Sequence, residues 1–280
     1  MSYKYLIEER LRESTYHSEL EEENALKEIL QEFILYALSD LNFFKFAAFH
    51  GGTELRIVRN LKRFSEDLDF ALIDKNRSLD FSNLTTKIKD LQEHWGIKME
   101  IIDKSKAMNS IKKMLLKESS LAKLLIAHPM YDKRKIIRIK IELDINPPNG
   151  MLTEERFLEY PVTFPIKCFD ISTGFAGKLH AILCRGFLKG RDWYDFVWYV
   201  ERNSPVNMKF LTNALYQQGP WKKQNIDLSN IKLIDLLRKQ MDITDWHEAA
   251  IDTAAFLNKD AVEGLKYWGD SYFLQKLSKF

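Results

Sequence analysis

The segment between Phe49 and Ile73 constrains the fold of this chain more than any other, because it joins a glycine turn to a pair of alternating carboxylates. A short apolar stretch predicts a strand that ends at Gly51-Gly52, followed by a helix that begins near Thr53. A helix start presents free backbone N–H groups that suit a phosphate, and glycines let a ligand approach the backbone closely. The turn is therefore a candidate phosphate-binding element.

The second half of the segment carries Asp67 and Asp69 on either side of Leu68, at the start of another predicted strand. Alternate residues of a strand point to the same face, so both carboxylates are within reach of one hard cation. A phosphate-binding turn followed by a two-carboxylate metal site is the layout that phosphoryl-type transfer requires.

A third strand is predicted over residues 134–146, where isoleucines and leucine alternate with polar residues. Lys140, Glu142 and Asp144 share its polar face, which is a solvent-exposed face in the simplest interpretation. Two acids on one face repel each other unless a cation or the lysine offsets them. Either carboxylate is a candidate metal ligand or base on an incoming hydroxyl, and the sequence does not choose between them.

Downstream, residues 172–186 predict a helix with Ser172 or Thr173 as its N-cap, and Lys178 lies on this helix. Asp192 and Asp195 lie three residues apart on one face of the next predicted helix. A solvated lysine and ordinary helix capping are the plain explanations of these residues.

These motifs carry a family resemblance. The chain resembles the nucleotidyltransferases of the DNA polymerase beta-like superfamily, and within them the AbiEii/AbiGii toxin-type branch. The residues that match in register are Gly51, Gly52, Thr53, Arg63, Ser65, Asp67 and Asp69. The segment KIELDINPPNG (140–150) and the order KLHAI…GRDWYDF are also similar to that branch. His50 and Glu54 depart from it, since relatives commonly show a lysine and a small residue there.

The resemblance implies roles for the motif residues. Asp67, Asp69 and Glu142, with Asp144 as the alternative, would hold Mg²⁺ or Mn²⁺. Lys178 would contact the phosphates of a nucleoside triphosphate, and Asp192 and Asp195 would hold the lysine or the helices in place. The residues implied at the nucleotide are Gly51, Gly52, Thr53, Arg63, Ser65 and Lys140.

The resemblance also implies a reaction and a biological role. An acceptor hydroxyl of tRNA or protein would attack the α-phosphorus of the nucleotide and release pyrophosphate. The protein would be the toxin of a toxin–antitoxin or phage-defence system, with an antitoxin as a partner that need not touch it.

The pattern of elements predicts an α+β fold, with a mixed sheet flanked by helices and then a helical C-terminal half. We predict a domain of residues 1–168 and a helical domain of residues 169–280. Residues 104–128 favour helix over strand. The net charge of +2 does not call for nucleic acid or membrane as a partner, and no apolar run is long enough to span a bilayer, so the cytoplasm is expected.

Two other functions compete with this hypothesis. A catalytically silent nucleotide-binding regulatory module would keep the fold, but it would be free to lose Asp67 or Asp69. An RNA-binding or interaction protein with a structural acidic cluster is disfavoured by the nearly neutral charge.

Overall fold

A computed structural model of the chain describes residues 3–13, 16–74, 86, 88, 99–103, 111–118, 136–226 and 228–280. The chain divides into two compact units. The first unit comprises residues 1–146 and 155–168, and the second comprises residues 147–154 and 169–280. No helix of the described residues is long and apolar enough to cross a membrane.

Seven strands of the described residues form one sheet in the order β3-β4-β5-β2-β1-β7-β6. β1 pairs in parallel with β7 and β2 in parallel with β5, whereas β1–β2, β3–β4 and β4–β5 are antiparallel pairs. The strands are β1 (Ala47–His50), β2 (Asp67–Leu72), β3 (Met99–Asp103), β4 (Ile111–Glu118), β5 (Ile137–Asp144), β6 (Thr153–Leu158) and β7 (Phe164–Phe169).

Helices α1 to α3 belong to the first unit and α4 to α10 to the second, with 3₁₀ turns at Phe43–Lys45 and Glu263–Tyr267. This arrangement confirms the predicted α+β class with a helical C-terminal half. The helices are α1 (Tyr3–Arg12), α2 (Glu19–Asp40), α3 (Gly51–Ile57), α4 (Ile171–Cys184), α5 (Gly190–Val200), α6 (Met208–Gln217), α7 (Asn230–Asp242), α8 (Trp246–Ala254), α9 (Lys259–Val262) and α10 (Asp270–Leu277).

The core of the first unit lies between α2 and one face of the sheet. The hydroxyl of Ser18 caps α2 by accepting from the backbone N–H of Glu21, and three glutamates in the first turn favour the positive end of the helix. Phe33 of α2 belongs to the same buried cluster as Phe49 of β1 and Phe70 of β2. Since this face of the sheet is apolar, the alternating residues of β2 and β5 leave their polar side chains on the opposite face.

The strand predicted over residues 134–146 is β5, and its residues alternate between buried and more exposed positions. The helix expected over residues 104–128 is wrong in its described part, because Ile111–Glu118 forms β4 between β3 and β5. The sequence IKKMLLKE of β4 suits a helix locally, but pairing with β5 along its whole length overrides that preference.

Candidate active site

The parallel pairing of β2 with β5 brings the predicted carboxylates to one face of the sheet. Asp67 lies opposite Lys140, and Asp69 lies opposite Glu142. Asp144 lies one step farther along, opposite Ala71, and its Oδ1 accepts a hydrogen bond of 2.8 Å from the backbone N–H of Asn146. Glu142 is therefore the β5 carboxylate that neighbours the Asp-Leu-Asp motif in register.

Lysines neutralise this acidic face. Lys140 Nζ lies 2.8 Å from Glu142 Oε1 and 3.3 Å from Asp67 Oδ2, so it bridges the two strands. Lys113 of β4 adds a second contact to the same Glu142 oxygen at 2.8 Å. Lys113 is not predicted from the sequence, because it lies in the segment expected to be helical.

The ion pairs change the acidity of both partners. Burial alone would lower the pKa of Lys140, but the hydrogen bonds and negative charges of Glu142 and Asp67 outweigh it and raise the pKa above its usual range. Burial alone would raise the pKa of Glu142, but the hydrogen bonds and charges of Lys113 and Lys140 lower it. Both groups therefore stay charged at neutral pH.

The glycine turn packs directly against the motif. Gly51 has a φ of +88°, and a Cβ at this position would lie 2.6 Å from Asp69 Oδ2. A Cβ on Gly52 would lie 2.7 Å from Arg63 Nη2 and 2.8 Å from Ser65 Oγ. Both glycines are therefore required by close approach, and Gly51 also by its backbone conformation. The structure brings the turn, Asp69, Arg63 and Ser65 together.

Thr53 and Arg63 of the motif have buried side chains. Thr53 is fully buried and its hydroxyl donates to the backbone carbonyl of Asp67, which ties α3 to β2. Arg63 is 2% exposed and donates to the carbonyl of Phe64 at 3.0 Å. These contacts shape the turn and the start of β2. His50, the departure from the family pattern, lies opposite Asp69 in the β1–β2 register.

The carboxylates offer an oxygen-only donor set, which suits a hard divalent cation. Among the described residues, no three acidic, histidine or cysteine side chains are grouped closely enough to hold a metal ion. Lys140 bridges Asp67 and Glu142 instead, so its ammonium supplies the positive charge that these two acids require. The donor chemistry of these carboxylates therefore fits a hard cation, whereas their present spacing does not group three of them around one point.

The second group of predicted residues lies in the second unit. Lys178 of α4 contacts Asp195 Oδ2 at 2.7 Å and Asp192 Oδ1 at 3.3 Å, both on α5. Arg185, which belongs to none of the sequence motifs, contacts Asp192 Oδ2 at 3.1 Å. The side chains of Asp192 and Asp195 are 4% and 0% exposed. Burial of both acids excludes the plain solvated interpretation of Lys178.

The N-cap of α4 differs from the prediction. Asp170, rather than Ser172 or Thr173, caps the helix by accepting from the backbone N–H of Thr173 at 2.9 Å. Ser172 donates its hydroxyl to the same carboxylate at 2.7 Å. An aspartate and a serine are both good caps, so the sequence alone did not separate them.

Comparison with known proteins agrees with the motifs. The family model described as "Nucleotidyl transferase AbiEii toxin, Type IV TA system" matches residues 34–267. The chain therefore belongs to the AbiEii family of nucleotidyltransferase toxins. No curated protein matches the chain.

Two solved structures resemble the chain at low identity. MenT4, a nucleotidyltransferase toxin of Mycobacterium tuberculosis H37Rv, is 16% identical with a TM-score of 0.47, over 99% of this chain and 94% of that one. JHP933 of Helicobacter pylori is 19% identical with a TM-score of 0.43, over 91% and 97%.

Proposed function

We propose that this toxin-family protein transfers a nucleoside monophosphate from a nucleoside triphosphate to an acceptor hydroxyl of tRNA or protein, with release of pyrophosphate. The observation that carries the proposal is the acidic face of β2 and β5, where Asp67, Asp69 and Glu142 lie beside a glycine turn. The family supports nucleotidyl transfer, and the proximity of these residues in the sheet supports the roles proposed for them.

In this proposal, Asp67, Asp69 and Glu142 hold Mg²⁺ or Mn²⁺, which when bound stabilises the charge that builds on the reacting phosphate. We assign the third carboxylate to Glu142 because it neighbours Asp69, whereas Asp144 neighbours Ala71. Lys140 is partly exposed and bridges the acids, so it neutralises the acidic face before substrate binds and is placed to contact an anionic phosphate.

The glycine turn has the role of a phosphate-binding element. Gly51 and Gly52 let the side chains of Asp69, Arg63 and Ser65 pack directly against the backbone of the turn, which brings the turn beside a proposed metal-binding carboxylate. Thr53 and Arg63 hold the turn in shape through their bonds to backbone carbonyls.

The buried cluster of Lys178, Asp192 and Asp195 has a positioning role in this proposal. Its two carboxylates restrain the lysine at 2.7 and 3.3 Å, so the ammonium group is fixed before any nucleotide binds. Fixing a charge in advance reduces the reorganisation that a charged transition state requires.

The proposal is tested with each of four α-³²P-labelled nucleoside triphosphates, Mg²⁺, total tRNA and cell extract. Label on RNA or protein with the wild type, and none with Asp67→Ala/Asp69→Ala, is expected. Glu159→Ala removes an exposed carboxylate of the same unit and is the matched control. No label with nucleotide binding intact would favour the catalytically silent nucleotide-binding module.

The third carboxylate is tested by a matched pair of substitutions on β5. Glu142→Gln should abolish transfer, whereas Asp144→Asn should change it by no more than several-fold. The opposite result would move the metal-binding role to Asp144.

A toxin role predicts that induction of the wild type arrests growth and that induction of the Asp67→Ala/Asp69→Ala variant does not. An antitoxin is the expected partner. Growth that is unaffected by the wild type would contradict that role.

A further inference from the structure

The second unit contains a cavity of about 250 Å³ between the loop after α4, the start of α5 and the end of α7. Its wall combines basic, apolar and amide side chains. The residues that matter for its chemistry are Arg185, Phe187, Lys189, Asp192, Gln240 and Asp245.

Lys189 lines this cavity without a counter-ion. No acidic side chain of the described residues lies within ion-pairing distance of its ammonium group. Burial lowers the pKa of Lys189, and of its charged neighbours only Asp192 opposes this change. The charges of Arg191, Lys178 and Arg185 lower the pKa further. The lysine therefore lies in a partly desolvated position with an excess of nearby positive charge.

Arg185 offers further donors to the same cavity. Its Nε lies 3.1 Å from Asp192 Oδ2, and its guanidinium lies over the ring of Phe187 at 5.0 Å. No hydrogen bond joins the guanidinium to any described residue. A guanidinium has five N–H donors in a planar fork, so most of its donors remain available to a ligand.

The acids on the cavity wall are already engaged. Both oxygens of Asp192 contact cations, Oδ1 to Lys178 and Oδ2 to Arg185. Asp245 Oδ1 caps α8 by accepting from the backbone N–H groups of His247 and Glu248 at 3.0 Å. The groups of the cavity wall that remain available to a ligand are therefore mainly positively charged donors, as expected of an anion site.

We propose that this cavity binds a small oligophosphate anion, with Lys189 and Arg185 donating to its phosphate oxygens. Phosphate matches both donors, because guanidinium groups bind it in a bidentate manner and lysine binds it as a point charge. The expectation that the anion is a nucleotide's phosphate chain or free pyrophosphate rests on the proposed function. The proposal that the cavity binds an oligophosphate does not depend on that function.

The test is calorimetric titration of the full chain with inorganic pyrophosphate and with inorganic triphosphate, in EDTA at low ionic strength. EDTA removes metal-dependent binding at the acidic face of the first unit. Lys189→Gln should weaken binding about tenfold or more, as expected for the loss of a charge-assisted hydrogen bond, and Arg185→Gln should act in the same direction. Lys222→Gln removes one exposed lysine outside the cavity and is the matched control, with binding expected within twofold of the wild type.

Wild-type binding that Lys189→Gln weakens and Lys222→Gln leaves intact supports the site. If nucleoside triphosphates bind more tightly than inorganic triphosphate, the nucleotide is the source of the anion. If the two bind equally, the cavity recognises the phosphate chain alone. Absence of binding to the wild type, or equal binding to Lys189→Gln, overturns the proposal.

The Asp67→Asn/Asp69→Asn variant separates this proposal from the proposed function, because it should lose nucleotidyl transfer and still bind the anion in EDTA. Loss of anion binding in this variant would overturn the assignment to the cavity. Transfer that is absent from the wild type while anion binding persists would contradict the proposed function alone.

Discussion

The ion-pair cluster of the first unit is exposed to solvent, whereas that of the second unit is buried. In the first unit, Asp67 and Lys140 are 40% and 37% exposed, and their contact of 3.3 Å is reached by solvent. In the second unit, Asp195 is 0% exposed and lies 2.7 Å from Lys178. Solvated ion pairs exchange partners at little energetic cost, whereas a buried pair leaves an uncompensated charge when it is broken. The first cluster is therefore suited to binding a ligand, and the second to holding two helices in a fixed relation.

The largest effect is expected where the buried pair is broken. Asp195→Ala leaves Lys178 without its closest carboxylate and should lower the free energy of unfolding by about 3–5 kcal/mol. Chemical denaturation measures this loss. Glu263→Ala removes one partner of an exposed pair with Lys266 and should change stability by less than about 1 kcal/mol. Similar losses in the two variants would remove the contrast between the units.

The opposite pattern is expected in the first unit. Asp67→Asn should reduce nucleotidyl transfer by about 100- to 1,000-fold, because it removes a charge from the reacting centre. Its free energy of unfolding should change by less than about 1 kcal/mol, since the Lys140 pair is solvated. Transfer rates and denaturation curves measured on one preparation separate a loss of activity from a loss of stability. A stability loss as large as that of Asp195→Ala would show that the acidic face is structural.

Gly51 provides a smaller test of the acidic face. Gly51→Ala places a Cβ at a φ of +88° and 2.6 Å from Asp69 Oδ2, so it should cost at least about 1–2 kcal/mol and displace the carboxylate. Gly177→Ala on α4 meets no atom within 4 Å and should stabilise the protein by about 0.5–1 kcal/mol. Thermal unfolding of both variants measures the difference in sign. A neutral Gly51→Ala would show that the turn adapts to a side chain.

The smallest effect concerns pH. The pKa of Glu142 is lowered in the folded state from 4.5, so its ion pairs stabilise the protein above pH 4.5 and are lost as the pH falls through the folded value. The pKa of Lys140 is raised from 10.5, so its contribution is present below that pH and is lost as the pH rises through the folded value.

Solvent screening limits the Glu142 contribution to less than about 1 kcal/mol. Glu142→Gln should reduce the loss of stability at acid pH, measured by denaturation between about pH 3 and 6, a range that brackets the unperturbed pKa of 4.5. If the stability of the variant falls at acid pH as much as that of the wild type, other carboxylates are responsible for the pH dependence.

The sequence predicted individual strands better than their arrangement. The alternation in β5 identified its two faces, and the spacing of Asp67 and Asp69 placed both on one face. The pairing of β2 with β5 joins segments about 70 residues apart, and its register depends on tertiary contacts that no local pattern encodes. Lys113 was missed for the same reason, since β4 is a strand only because β3 and β5 flank it.

The parallel pairing of β2 with β5 also has a consequence for how the protein is made. Two parallel strands need a long crossover, and the entropy of closing that loop must be overcome before the pairing is formed. Asp67 and Asp69 leave the ribosome long before Glu142, so the nascent chain carries two of the three proposed metal-binding carboxylates before the strand that holds the third. On the proposed function, a polypeptide released before β5 lacks Glu142 and its pairing with Asp69, so we expect it not to transfer a nucleotide.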